Sequence, residues 1–127
     1  NPPGGSFFIN GDIMHANGID YDSENDVIFL SVNYYDEIWV IDHSTSLTES
    51  QGASGGNYNK GGDLIYRFGN PNTYNSLGNK IFDKNHFPNL LEDNVEGDGN
   101  VLVYVNGNST KQSIVYELEM PWFRFLF

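Results

Sequence analysis

Two of the three histidines in this chain, His15 and His86, stand at the head of similar segments. A neutral imidazole is a good nucleophile near neutral pH and can also carry a proton to or from a reacting oxygen. Polar and aromatic residues recur close to them: Asn17 near His15, then Asn33 and Tyr34 after the next apolar run. Tyr34, Tyr35 and Tyr104 could line an aromatic pocket, although strand tyrosines more often pack. His43 follows an apolar run and reads as an exposed strand-end residue.

The segments that carry these residues repeat. His15 to Asp22 is followed by the turn Asp22-Ser23-Glu24-Asn25-Asp26, the run VIFLSVN over 27–33, a turn at 34–36 and EIWVID over 37–42. The order restarts at His86: HFPNLLED over 86–93, a turn over 94–100, NVLVYVN over 100–106, a turn at 107–110 and SIVYEL over 113–118. These runs are short and rich in β-branched and aromatic residues, which predicts strands. DLIYRFG over 63–69 makes a fourth strand for the first unit.

The period is roughly 70 to 75 residues, against about 40 to 50 for common propeller repeats. Two polar loops account for the excess. Residues 44–62, rich in Ser, Thr, Gly and Asn, read as a mobile loop. Residues 70–85 form the second, with Ile81 and Phe82 as apolar anchors.

The chain is therefore expected to be all-β, with about two four-stranded antiparallel blades of a β-propeller. Residues 1–11 read as a linker around a short Phe7-Phe8-Ile9 strand, 12–69 as the first blade, 70–120 as a second, incomplete blade, and 121–127 as an apolar tail. Two blades leave open edges, so the remaining blades or self-association through those edges and residues 121–127 are the expected partners, and the chain reads as a piece of a longer one or a subunit of an assembly.

Bulk properties narrow the function. The net charge is −11, from 6 basic and 17 acidic residues, which repels a nucleic acid duplex or an anionic membrane. With no cysteine, disulfides and thiolate metal sites are excluded. No apolar run approaches the roughly 18 residues needed to span a bilayer. The acidic turns at 22–26 and 92–98 lack the spacing of a calcium loop, so no metal is assigned. Asn108-Ser109-Thr110 is an N-glycosylation sequon on an expected surface turn.

The stretch from Asp12 through His15 and Asn17 to Asp22, then VIFLSVN, EIWVID, LIYRFG, FDKNHFPNLLED, NVLVYVNGN and SIVYELEM, resembles the bacterial arylsulfotransferases. The likeness runs from about residue 12 to 120, and it lies in the order and spacing of motifs, among them His-x-Asn at His15 and Asn17. It implies a six-bladed propeller, exported to the periplasm or the cell exterior. It implies transfer of a sulfuryl group from an aryl sulfate to a phenolic acceptor through a sulfo-histidine, with no cofactor. Matched by position, His86 is the nucleophile and His15 the second active-site histidine, with Asn33, Asn17 and Tyr34 placed to bind substrate.

Two positions depart from the family pattern. Asn33 stands where the family has an arginine, and Asn85 where it has a glutamine. Asn does not replace the charge and planar fork of Arg toward an oxyanion. Arg67 or Lys84 would have to supply the cation from elsewhere. The other expectation is a non-catalytic propeller, a binding or extracellular assembly protein with a degenerate site.

Overall fold

A computed structural model describes residues 11–121. The chain is all-β, built as two antiparallel sheets in sequence order. The first sheet contains β1 (Ala16–Asp22), β2 (Val27–Val32), β3 (Glu37–Asp42) and β4 (Leu64–Phe68), and the second β5 (Asn85–Leu90), β6 (Val101–Val105) and β7 (Ile114–Leu118). Each sheet is a meander whose neighbours in sequence are neighbours in space. The expected strands thus form where β-branched and aromatic residues cluster. The expected strand at 7–9 and the apolar residues 122–127 lie outside the described residues. Among the described residues no helix is long and apolar enough to cross a membrane.

Turn chemistry sets the strand ends. After β1 the Asp22 carboxylate accepts from the backbone N–H of Glu24 at 2.9 Å and of Asn25 at 3.0 Å, so the acidic turn is an Asx turn. After β2 a short 3-10 turn over Asn33–Tyr35 ends on Asp36, held at φ 57°. β2 therefore stops at Val32, and Asn33 belongs to the turn rather than to the ladder.

The loop at 44–62, read as mobile from its composition, is closed by hydrogen bonds of its own and by one to the first acidic turn. The Tyr58 hydroxyl donates to the Asn25 carbonyl at 2.8 Å, and the Glu49 carboxylate accepts from Ser46 N–H at 2.8 Å. Gly62 N–H donates to the Gly52 carbonyl at 2.9 Å. Its glycines allow tight backbone returns that bond to themselves, an outcome composition does not distinguish from slackness. Of the two anchors expected in 70–85, Phe82 is fully buried but Ile81 is 41% exposed. The Ile81 N–H donates to the Gly69 carbonyl at 2.7 Å, so its backbone, not its side chain, ties the segment down.

One hydrophobic core spans both sheets. Val27, Phe29, Ile38 and Val40 come from the first, Val101, Val103 and Val105 from the second, with Phe82 and Met120 between them. Each fully buried side chain of this size contributes roughly 1.5–3 kcal/mol. Aligned on the asparagine that follows each strand, Asn33 and Asn106, the inward residues Val101 and Val103 of β6 match Ile28 and Leu30 of β2. Ile28 and Leu30 are only half-buried, because they point away from the shared core. The two repeats therefore meet through unlike faces.

The leading strands β1 and β5 lie against each other. At Gly18 a side-chain β-carbon would sit 2.5 Å from Phe87 Cα. Both strands break register near this contact, β1 between Ala16 and Gly18 and β5 between His86 and Pro88. Such bulges bend a strand and re-aim its side chains.

Candidate functional site

The close approach of β1 and β5 brings the two histidine-led segments together. His15 precedes β1 at φ 49°, a left-handed conformation uncommon for a residue other than glycine. Asp12 holds it there: one carboxylate oxygen accepts from the His15 backbone N–H at 2.7 Å, and the other lies 2.6 Å from Nδ1. The hydrogen bond from His15 keeps the Asp12 carboxyl below its usual range. The His15 ring stacks on Tyr34 at 4.9 Å and 20° between planes. Burial, then the Asp12 charge, pushes the Tyr34 phenol up. With Nδ1 engaged by Asp12, Nε2 is the nitrogen left to meet a ligand.

His86 is the second residue of β5 and is ringed by amides. Asn17 Nδ2 lies 2.8 Å from its Nδ1, Asn106 Nδ2 2.9 Å from its Nε2 and Asn33 Nδ2 3.4 Å from Nε2. Asn33 also donates to the Asn85 carbonyl at 2.9 Å, and that fixes which end of its amide faces the ring. An amide N–H aimed at Nε2 requires a lone pair there, so the proton of the neutral ring belongs on Nδ1. Nδ1–H then needs an acceptor, and Asn17 Oδ1 is a buried oxygen without a hydrogen-bond partner. Half a turn of the Asn17 amide would give Nδ1–H that acceptor, at the cost of the 3.3 Å bond from Asn17 to the Asn85 carbonyl, which keeps Asn33 and Ser31 Oγ as donors. Burial, then the nearby charge of His15, holds the His86 pKa below its ordinary value. Burial thus favours the neutral imidazole, and the Asn33 and Asn106 amides favour the tautomer with its lone pair on Nε2.

Asn85 is the floor of this arrangement. Its side chain is fully buried and donates to Ser31 Oγ and to the Glu37 carbonyl, each at 2.8 Å. It joins the start of β5 to β2 and β3 rather than touching the open side of the site.

Lys84 and Arg67 differ in placement. Lys84 Nζ lies 3.4 Å from the Asn33 carbonyl and 5.8 Å from the centre of the Tyr34 ring. Arg67 is spent elsewhere: its Nε and Nη2 donate at 2.7 Å to the buried Glu37 carboxylate. Tyr35 packs near Trp39 at 5.7 Å, and the Tyr104 ring stands 6.2 Å from His86 with its hydroxyl donating to Ser113. His43 is exposed, with Nδ1 2.7 Å from Asp26. No group of three or more His, Asp or Glu suited to a metal occurs among the described residues.

His15, His86, Asn17, Asn33 and Tyr34 are therefore neighbours in space. Sequence reasoning missed Asp12 and Asn106. The Asp-x-x-His spacing of 12 and 15 was a signal for the first, since a carboxylate three residues ahead can bond a following N–H. The matching asparagines after VIFLSV and VLVYV were the signal for the second. Comparison with protein-family models, curated proteins and solved structures gives no match.

Proposed function

We propose that the two sheets are adjacent blades of a β-propeller, acting in the periplasm or outside the cell, and that the site between them transfers a sulfuryl group from an aryl sulfate to a phenol. The observation that carries this reading is the meeting of His86, ringed by the amides of Asn17, Asn33 and Asn106, with His15 stacked on Tyr34. In the first displacement the Nε2 lone pair attacks sulfur and the aryl oxygen–sulfur bond breaks. The departing phenolate takes the Nε2 proton of His15 in its doubly protonated form, which leaves a neutral ring with Nδ1–H on Asp12. Asn33 and Asn106 shift their N–H bonds from the ring lone pair to the sulfuryl oxygens as charge builds there. In the second displacement the acceptor phenol gives its proton to His15 while its oxygen attacks sulfur. The nitrogen–sulfur bond then breaks and returns the lone pair to His86. Tyr34, stacked on His15, offers the aryl group a flat apolar face.

The test is release of nitrophenol from p-nitrophenyl sulfate in the presence of phenol. The chain should turn over, and His86→Ala should lose at least about a hundredfold in rate, the usual scale for a nucleophile or acid–base group. Full rate in His86→Ala would remove the assignment.

A second reading has its own support. Both nitrogens of His86 already meet amides within the protein, as in a histidine that ties one sheet to the other. On this reading the protein is a non-catalytic binding or assembly propeller. It requires no turnover by the intact chain and a marked loss of stability in His86→Ala.

A further inference from the structure

We propose that the ammonium of Lys84 is the cationic seat for a tetrahedral oxyanion bound beside Asn33 and Tyr34. The inference rests on reading the site as one that handles such anions.

Lys84 is held by its backbone. It sits at φ 62° just before β5, its N–H donates to Asp36 Oδ1 at 2.8 Å, and its carbonyl accepts from Asn106 N–H at 3.0 Å. The turn after β2 and the end of β6 thus both fix where its side chain starts. The side chain is less committed. Asp36 already receives Lys80 Nζ at 2.9 Å on one oxygen and the Lys84 N–H on the other. Lys84 Nζ stands 3.6 Å from that second oxygen, too far for a hydrogen bond. Its contact with the Asn33 carbonyl is a long 3.4 Å. An ammonium has three donors, so most of the capacity of this one is unspent, and the side chain is one-third exposed.

Asn33 and Tyr34 connect this cation to the histidines. The Asn33 carbonyl touches Nζ while its amide faces His86 Nε2. Tyr34 has His15 stacked on its ring and Nζ beside it. In a chain of net charge −11, Arg67 is held by Glu37 at 2.7 Å and Lys80 by Asp36 at 2.9 Å, while Lys84 shares the Asp36 carboxylate only as an ion pair at 3.6 Å with no hydrogen bond. A flexible point charge with free donors suits the oxygens of a sulfate-type ester.

The experiment titrates inorganic sulfate into the chain at constant ionic strength, following the amide resonances of Asn33, Tyr34 and His86. The wild type should show a saturable shift, Lys84→Gln should bind at least about tenfold more weakly, as expected for a lost charge-assisted bond, and Lys84→Arg should keep most of the affinity. Lys60→Gln makes the same change of net charge on an exposed loop and should leave binding unaltered. Unchanged binding in Lys84→Gln, an equal loss in Lys60→Gln, or no saturable shift in the wild type would overturn the proposal. Turnover of p-nitrophenyl sulfate on the same proteins separates the two ideas. Sulfate held through Lys84 without turnover keeps the seat and sinks sulfuryl transfer. Turnover indifferent to Lys84→Gln keeps the transfer and sinks the seat.

Discussion

Asn33 donates its amide N–H to the Asn85 carbonyl at 2.9 Å, across the gap between the two sheets. The same nitrogen is 3.4 Å from His86 Nε2. Asn33 is thus an inter-sheet tie, and its amide faces the neighbouring imidazole from the Nε2 side.

The titration of His86 is the first consequence. Its folded pKa lies below the 6.5 of a free imidazole, because of burial first and His15 second. The unfolded chain therefore takes up a proton near pH 6.5 while the folded one resists. Stability should be complete above that pH and decline as the pH falls toward the lowered folded value. An NMR titration should give His86 a midpoint below 6.5, and His15→Asn should move that midpoint upward.

Asn85→Ala should destabilise the fold by about 1–3 kcal/mol, since the Glu37 carbonyl and Ser31 lose a buried donor. Urea unfolding at pH 7.5 measures it as a lower midpoint at unchanged slope.

Arg67→Met should cost more, about 3–5 kcal/mol, because it strands a buried carboxylate. Glu37 also accepts from Trp39 Nε1 at 2.6 Å and from the Thr73 hydroxyl, but neither brings a positive charge. Combining Arg67→Met with Glu37→Gln should recover part of the loss in the same unfolding assay.

Gly18→Val should separate β1 from β5. Its side chain would enter the Phe87 backbone, which has no rotamer to yield. A loss of about 1–3 kcal/mol is expected for such overpacking, together with large shifts in the His86 and Asn17 resonances.

The strands were legible because VIFLSV, EIWVID and VLVYV declare themselves by composition. Their partners were legible because each hairpin joins neighbours along the chain. Asn33 misled because the apolar run continues visually to it, while the 3-10 turn claims it. The His15–His86 neighbourhood was readable only through the repeat. Lys84 and Asn85 were opaque for a related reason: their partners Asp36, Ser31 and Glu37 lie roughly 50 residues earlier, and no local pattern encodes such contacts. The closed loop at 44–62 depends on bonds between its own backbone groups, which side-chain composition does not specify.

The meeting of unlike faces gives the pair of sheets a front and a back. A two-fold interface uses one surface twice and is then complete. Here Ile19, 60% exposed, stands opposite Leu30 on one outer side, and Val115, also 60% exposed, stands opposite Tyr104 on the other. The contact here uses a different surface on each sheet, so it leaves one outer face of each uncovered, like stacked cups.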